Sequence, residues 1–202
     1  MKRFLFIHLP KNAGKSLQWS LQDLMTDVSR TILKERIPKD DPRNLIIEHM
    51  PVWQLIERGQ MDPAYLDNTF VFTCIRNAWD RFRSLYYYKK QDQKGYSVQQ
   101  MVDLLYTGDP NKYSMWNSYE FWLRGLKQCE FVHYGPNKVM QRNFNFICKK
   151  IGIPLRRFGY TNSNQNYKGT SAEFYEQNPG AKEGVADFYA YEIDRFNQTF
   201  PY

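Results

Sequence analysis

The sequence predicts an α/β fold with a mainly parallel central sheet flanked by helices, and three observations carry that prediction. Apolar runs of strand length at 4–9, 45–47 and 70–75 are each followed by a break and then by a helical pattern. The order strand, loop, helix repeats along the chain, which is how a parallel sheet is wound. Hydrophobic residues are 42% and aromatics 17% of 202 residues, enough for a packed core and too many for a disordered or collagen-like chain. The length suits one domain, 1–202, and no internal repeat, low-complexity tract or long linker divides it.

The first run, Phe4-Leu5-Phe6-Ile7-His8-Leu9, lies between Lys2-Arg3 and Pro10 and reads as a buried strand. Leu17, Leu21, Leu24, Met25 and Val28 then recur at helical spacing, predicting a helix from about Gly14 into the low 30s. Residues 37–43, with Pro38 and Pro42, form a loop. Leu45-Ile46-Ile47 is a second strand that ends at Glu48-His49-Met50-Pro51, with a short helix around 52–58 behind it. The strand 70–75 breaks at Arg76-Asn77, and Trp79, Phe82, Leu85 and Tyr86 give a helix from Ala78. Residues 96–126 read as helical and aromatic, and Phe131-Val132 as a last short strand. Phe144, Ile147, Cys148 and Ile151 give a helix stopped by Gly152 and Pro154. Residues 160–171 are polar and turn-rich, and 184–197, with Val185, Phe188, Ile193 and Phe196, read as one terminal helix.

Lys and Arg outnumber Asp and Glu by 28 to 21, a net charge of +7. Such a surface favours anionic partners and does not choose among nucleotides, nucleic acid, acidic glycans and anionic membranes. No apolar run approaches the ~20 residues of a spanning helix. The first run is too short for a signal-peptide core and ends at Pro10-Lys11, so a cytoplasmic protein is expected. Cys74, Cys129 and Cys148 are odd in number and widely spaced, which argues against a disulfide framework or a C-x-x-C metal site.

The segment Lys11-Asn12-Ala13-Gly14-Lys15-Ser16 leads straight from a strand into a helix. Loop N–H groups and a helix N-terminus then converge on one point, an arrangement that suits a phosphate. Gly14 permits close approach of the backbone, Lys11 and Lys15 supply cations, and Ser16 adds a hydroxyl. Gly14-Lys15-Ser16 fits the second half of the P-loop pattern G-x-x-x-x-G-K-S/T, but Leu9 stands where its first glycine belongs. The bland alternative is an ordinary strand-to-helix turn with two solvated lysines.

The whole stretch 6–17 resembles the 5′-phosphosulfate loop, roughly F-I-H-I-P-K-T-A-G-T-S-L, of the carbohydrate (Golgi-type and bacterial) branch of the sulfotransferases. Asn12 and Lys15 stand where that family usually has Thr. Residues 73–87 are similar to the family's 3′-phosphate motif, R-N/D-P-x-x-R-x-x-S-x-Y-Y, with Arg76 and Ser84 at its phosphate positions and Ala78 replacing its Pro. A guanidinium fork and a hydroxyl suit one phosphate. Three weaker likenesses are Glu48-His49-Met50-Pro51 to the element G-H-x-P, 162–175, with Tyr167-Lys168-Gly169-Thr170, to the late N-x-S…Y segment that closes over the nucleotide, and 189–196 to the closing helix. Lys138 and Gln141 stand ahead of Phe144, where the family usually has Glu.

The resemblance implies a P-loop-like sulfotransferase fold, 3′-phosphoadenosine 5′-phosphosulfate (PAPS) as donor, 3′,5′-ADP (PAP) as product, and no metal. It implies that Lys11 stabilises the leaving phosphate. Backbone N–H groups of Asn12, Ala13, Gly14, Lys15, Ser16 and Leu17, with the Ser16 hydroxyl, would hold the 5′-phosphate. Lys168, Gly169 and Thr170 would join Arg76 and Ser84 at the 3′-phosphate. His49 matches the family's His and is the expected base, with an ordinary pKa of about 6.5; Glu48 is the fallback. His8 is read as core and His133 as structural. The expected acceptor is a carbohydrate or another molecule bearing a hydroxyl or amine; neither nucleic acid nor a membrane span is expected. Two other readings stay open. Gly14-Lys15-Ser16 would suit a P-loop kinase or nucleotide-binding protein, although Arg76 stands where a Mg²⁺-holding Asp is easiest to look for. The charge of +7 would suit a non-enzymatic polyanion binder.

Overall fold

Strands β1 (Phe4–His8), β2 (Thr26–Asp27), β3 (Leu45–Glu48), β4 (Phe70–Ile75) and β5 (Glu130–His133) pair in parallel in the order β2-β3-β1-β4-β5. The structure is a computed structural model that describes residues 1–27, 36–48, 50–91, 95–107, 116–159 and 169–201. It divides into two units, Met1–Ile75 with Trp122–Asn162, and Arg76–Phe121 with Ser163–Tyr202.

The first unit holds the sheet. β1 is buried along its whole length, as expected for a parallel strand covered on both faces. Alternate residues Phe4 and Phe6 of β1, Ile46 of β3, Phe72 and Cys74 of β4, and Val132 of β5 belong to one core cluster. That cluster includes Leu17 and Leu21 of α1 (Gly14–Leu21) and Met140, Phe144, Ile147, Cys148 and Ile151 of α6 (Asn137–Ile151), the helical spacing read from the sequence. Gly152 ends α6 in the left-handed conformation, φ 74°, as its position after the last apolar residue predicts. The pleat carries the same parity one step further, so His8 and Glu48 point to the α1 face at the carboxyl ends of their strands. Parallel register sets the two side by side.

The predicted first helix is too long. α1 ends at Leu21, Gln22–Leu24 form a 3₁₀ turn, Met25 is extended, and Thr26–Asp27 pair with Leu45 and Ile46. Asn44 captures the chain there: its carbonyl accepts from Thr26 N–H at 2.8 Å, and its amide donates to the Leu24 carbonyl at 3.0 Å. Leu24 and Met25 still pack on the core, so their helical spacing reflects burial rather than helix. The rest of the predicted helix, 28–35, lies outside the described residues. The loop 37–43 is found as predicted, with Asp41 gripping the Arg43 guanidinium through both oxygens. A short helix α2 (Val52–Glu57) follows β3.

In the second unit α3 (Ala78–Gln91), α4 (Val98–Thr107), α7 (Ser171–Glu176) and α8 (Pro179–Phe188) share an aromatic-rich core, with Trp79, Phe82, Trp116, Phe174 and Tyr175 among its members. Between the units the chain passes through α5 (Tyr119–Leu123). The single terminal helix expected over 184–197 is instead two, α8 and α9 (Ala190–Arg195), separated at Tyr189. Tyr189 is fully buried, its hydroxyl donates to the Trp116 carbonyl at 2.6 Å, and its ring lies under the Arg81 guanidinium at 5.2 Å. With the ring fixed in the core, the backbone turns around it.

Arg81 and Glu192 form a fully buried ion pair at 3.1 Å. Arg81 also donates to the Asn117 carbonyl at 2.6 Å, and Glu192 accepts the Tyr119 N–H at 2.7 Å. Burial pushes the Glu192 carboxyl up to about 7, against the pull of Arg81 and the Tyr119 N–H. Cys74, Cys129 and Cys148 are free thiols, and burial pushes Cys148 up. Among the described residues no helix is long and apolar enough to cross a membrane.

Glu192→Ala leaves the Arg81 guanidinium buried without its counter-ion, and urea unfolding is expected to show a loss of about 3–5 kcal/mol. The double change Arg81→Met with Glu192→Leu should cost far less, because it buries no lone charge. The Arg43 guanidinium holds the Asp41 carboxyl below its ordinary value. That stabilisation is complete above the unfolded value of about 4 and is lost as pH falls through the lower folded one. Asp41→Asn should therefore flatten the acid limb of a stability–pH curve.

Candidate anion-binding site at the β1–α1 loop

The chain leaves β1 through a tight loop that its own backbone braces. Leu9 N–H bonds the Ile7 carbonyl at 3.1 Å, and Leu17 N–H bonds the Ala13 carbonyl at 3.2 Å. Lys11 and Ala13 both adopt left-handed backbone, φ 63° and 59°. Each such non-glycine residue costs roughly 1–2 kcal/mol, which the surrounding packing must offset. Asn12, only 1% exposed, turns its amide inward onto the Pro10 carbonyl at 3.2 Å. Its side chain therefore braces the loop. Ser16 is also buried, and Lys11 is half-buried.

Gly14 is required by close approach rather than by its backbone angles. A Cβ placed there would stand 1.7 Å from His8 Cδ2 and 1.9 Å from Nε2. The first turn of α1 thus rests directly on the imidazole. Ala13 at the N-cap makes no side-chain capping bond, and the first turn of α1 carries no acid, so the positive end of the helix is not neutralised from within that turn.

His8 is buried, as read from the sequence, but it is also the floor of the loop. Its Nδ1 lies 3.4 Å from Glu48 Oε1, and Lys15 Nζ lies 2.7 Å from the same oxygen. Sequence reasoning missed this role, although the signal was present: His8 shares the parity of Phe4 and Phe6 and is the last residue of its strand. The sheet order adds a second reason to look here. Later strands lie on both sides of β1, so the carboxyl ends of β1 and β4 form the topological switch point where open parallel sheets bind ligands. At the opposite, amino-terminal end a hollow is lined by Met1, Arg3, Lys39 and Asn44. Arg3 is engaged there by Thr69 and the carbonyls of Lys39, Asp41 and Tyr65.

The second unit contains Arg76, Ser84, Gly169 and Thr170. Arg76 follows β4; Tyr119 Oη accepts its N–H at 2.9 Å and donates to its carbonyl at 3.0 Å. Ser84 is buried in α3, 2% exposed. Gly169 adopts φ 78°, and Arg83 donates to its carbonyl. Arg83 also donates to Ser171 Oγ at 3.3 Å, and Ser171 in turn donates to Asp80. Thr170 caps α7 in a reciprocal box with Glu173, which engages its hydroxyl. Arg83 and Asp80 thus hold the start of α7 to α3, a role the sequence did not single out. His49 and Lys168 lie outside the described residues. Among the described residues no cluster of His, Cys, Asp and Glu suits a metal ion.

No family model matches this sequence, and no curated protein does. Among solved structures the chain is similar to a sulfotransferase from Alicyclobacillus acidocaldarius, with 14% identity over 99% of this chain and 98% of that one and a TM-score of 0.46. So slight a likeness assigns no activity.

Gly14→Ala is expected to lower stability by about 1–3 kcal/mol in urea unfolding, the usual cost of overpacking. Adding His8→Ala should recover part of that loss, a positive coupling in the double-mutant cycle.

Proposed function

We propose that the protein is a sulfotransferase that moves a sulfuryl group from PAPS to a hydroxyl or amine of an acceptor, a carbohydrate by preference. The observation that carries this reading is the β1–α1 loop. Its sequence resembles a 5′-phosphosulfate loop, its glycine is seated on His8, and Lys11 and Lys15 flank a helix start with no acid in its first turn at the sheet's switch point. The residues fit a phosphate, since the missing Cβ at Gly14 lets the backbone approach and the helix favours negative charge.

The bound donor supplies an activated sulfuryl group. Backbone N–H groups of 12–16 and the Ser16 hydroxyl hold its 5′-phosphate, while the Leu17 N–H, expected among them, is spent on the Ala13 carbonyl; Lys11 stabilises the bridging oxygen as negative charge develops there. Arg76 and Ser84, with Lys168, Gly169 and Thr170, are assigned to the 3′-phosphate by the sequence motif alone. An acceptor oxygen attacks sulfur in line, the bond from sulfur to the bridging oxygen breaks, and that electron pair leaves on 3′,5′-ADP. His49 takes the acceptor's proton, with Glu48 as the alternative base.

Calorimetry should show 3′,5′-ADP binding to the wild type, and Lys11→Ala and Arg76→Ala should each weaken it about tenfold or more, the loss of one charge-assisted contact. Incubation with PAPS and a panel of sugars should release 3′,5′-ADP, at a rate about 10²–10³ lower for Lys11→Ala. No heat with 3′,5′-ADP, or unchanged binding in both variants, contradicts the proposal.

A further inference from the structure

Two nitrogen atoms lie close to one Glu48 oxygen, Lys15 Nζ paired with it at 2.7 Å and His8 Nδ1 beside it at 3.4 Å. The fold builds this meeting in steps. Register sets His8 beside Glu48, and the pleat turns both to the α1 face. Gly14 seats the helix on the imidazole, and Lys15, the next residue, falls over the carboxylate. Two departures from the family pattern meet here: Lys15 stands at a Thr position, and Glu48 where the element G-H-x-P has Gly.

The partners differ in freedom. The Glu48 side chain is 10% exposed and the Lys15 side chain 51%. The carboxylate is fixed beside the loop, whereas the ammonium ends a long stem that reaches water. A carboxylate next to an anion cradle opposes any anion that enters, and the lysine that screens it belongs to the cradle. Water reaches the half-exposed ammonium and weakens its pairing with Glu48. A phosphate offers the same ammonium charge-assisted bonds and lies at the favourable end of a helix.

We propose that Glu48 is the resting partner of Lys15, and that a phosphate bound in the loop takes the ammonium from it. The carboxylate left behind raises the energy of the bound state, so Glu48 limits how tightly the nucleotide product is held. The inference rests on reading this loop as the 5′-phosphate site and names the residue that tunes it.

Calorimetry with 3′,5′-ADP, and separately with inorganic pyrophosphate, on the wild type, Glu48→Gln, Lys15→Ala and the double variant tests the exchange. Glu48→Gln keeps the side chain's shape and should tighten binding by about threefold to tenfold, and Lys15→Ala should weaken it by about tenfold. The double variant should stay several-fold weaker than the wild type, because the lysine's contact with phosphate is gone. A double variant that binds like the wild type would mean that Lys15 only shields Glu48, and overturns the exchange. Weaker binding by Glu48→Gln overturns it too. Wild-type protein that binds pyrophosphate but not 3′,5′-ADP contradicts the nucleotide reading, while the pyrophosphate series still decides the exchange. Wild type that binds neither overturns both.

Discussion

With no Cβ at position 14, the first turn of α1 lies against the His8 ring, and the rest of the site follows from that contact. A Cβ would come within 1.7 Å of the imidazole, so any other residue would lift the helix start or displace the histidine. The contact fixes the height of the loop above the sheet. It sets where Lys11 and Ala13 must turn left-handed to reach the helix, and it brings Lys15 onto Glu48. The strain at those two positions is of order 1–2 kcal/mol each. Burial of Phe4, Phe6, Leu17 and Leu21 beneath the loop is worth about 1.5–3 kcal/mol per side chain, so packing outweighs strain and the geometry persists.

The two units rest on different physics. In the first, the sheet places side chains by parity, and one alternation gives core residues at Phe4 and Phe6, then a site residue at His8. The second is organised around a buried charge pair. Arg81 and Glu192 are fully buried, and each makes a further bond, Arg81 to the Asn117 carbonyl and Glu192 to the Tyr119 N–H. Tyr189 and Tyr119 lie against the guanidinium faces. Such a pair contributes little net stability against an apolar replacement, but it penalises any packing that separates its members.

Much of this was legible in the sequence because short apolar runs and glycine positions report directly on burial. The four longer strands, the start of α1 at Gly14 and the end of α6 at Gly152 fall where the pattern put them. Periodicity failed where burial and helix part company. Leu24 and Met25 pack on the core from a 3₁₀ turn and an extended residue, because Asn44 takes the backbone bonds a helix would have used. Val185, Phe188, Ile193 and Phe196 keep a helical rhythm across the break at Tyr189, which a hydroxyl bond to Trp116 enforces from far along the chain. In the candidate site the loop was legible and its floor was not. His8 looked like a core strand residue, and its contacts to Gly14 and Glu48 exist only once register and helix docking are fixed.

Backbone amide NMR during a 3′,5′-ADP titration tests the account most directly. If the loop over His8 is a phosphate cradle, the amides of residues 12–17 should show the largest saturable shifts, with Gly14 and Lys15 among them. Shifts spread over surface lysines, or saturable shifts elsewhere with 12–17 unmoved, would contradict it.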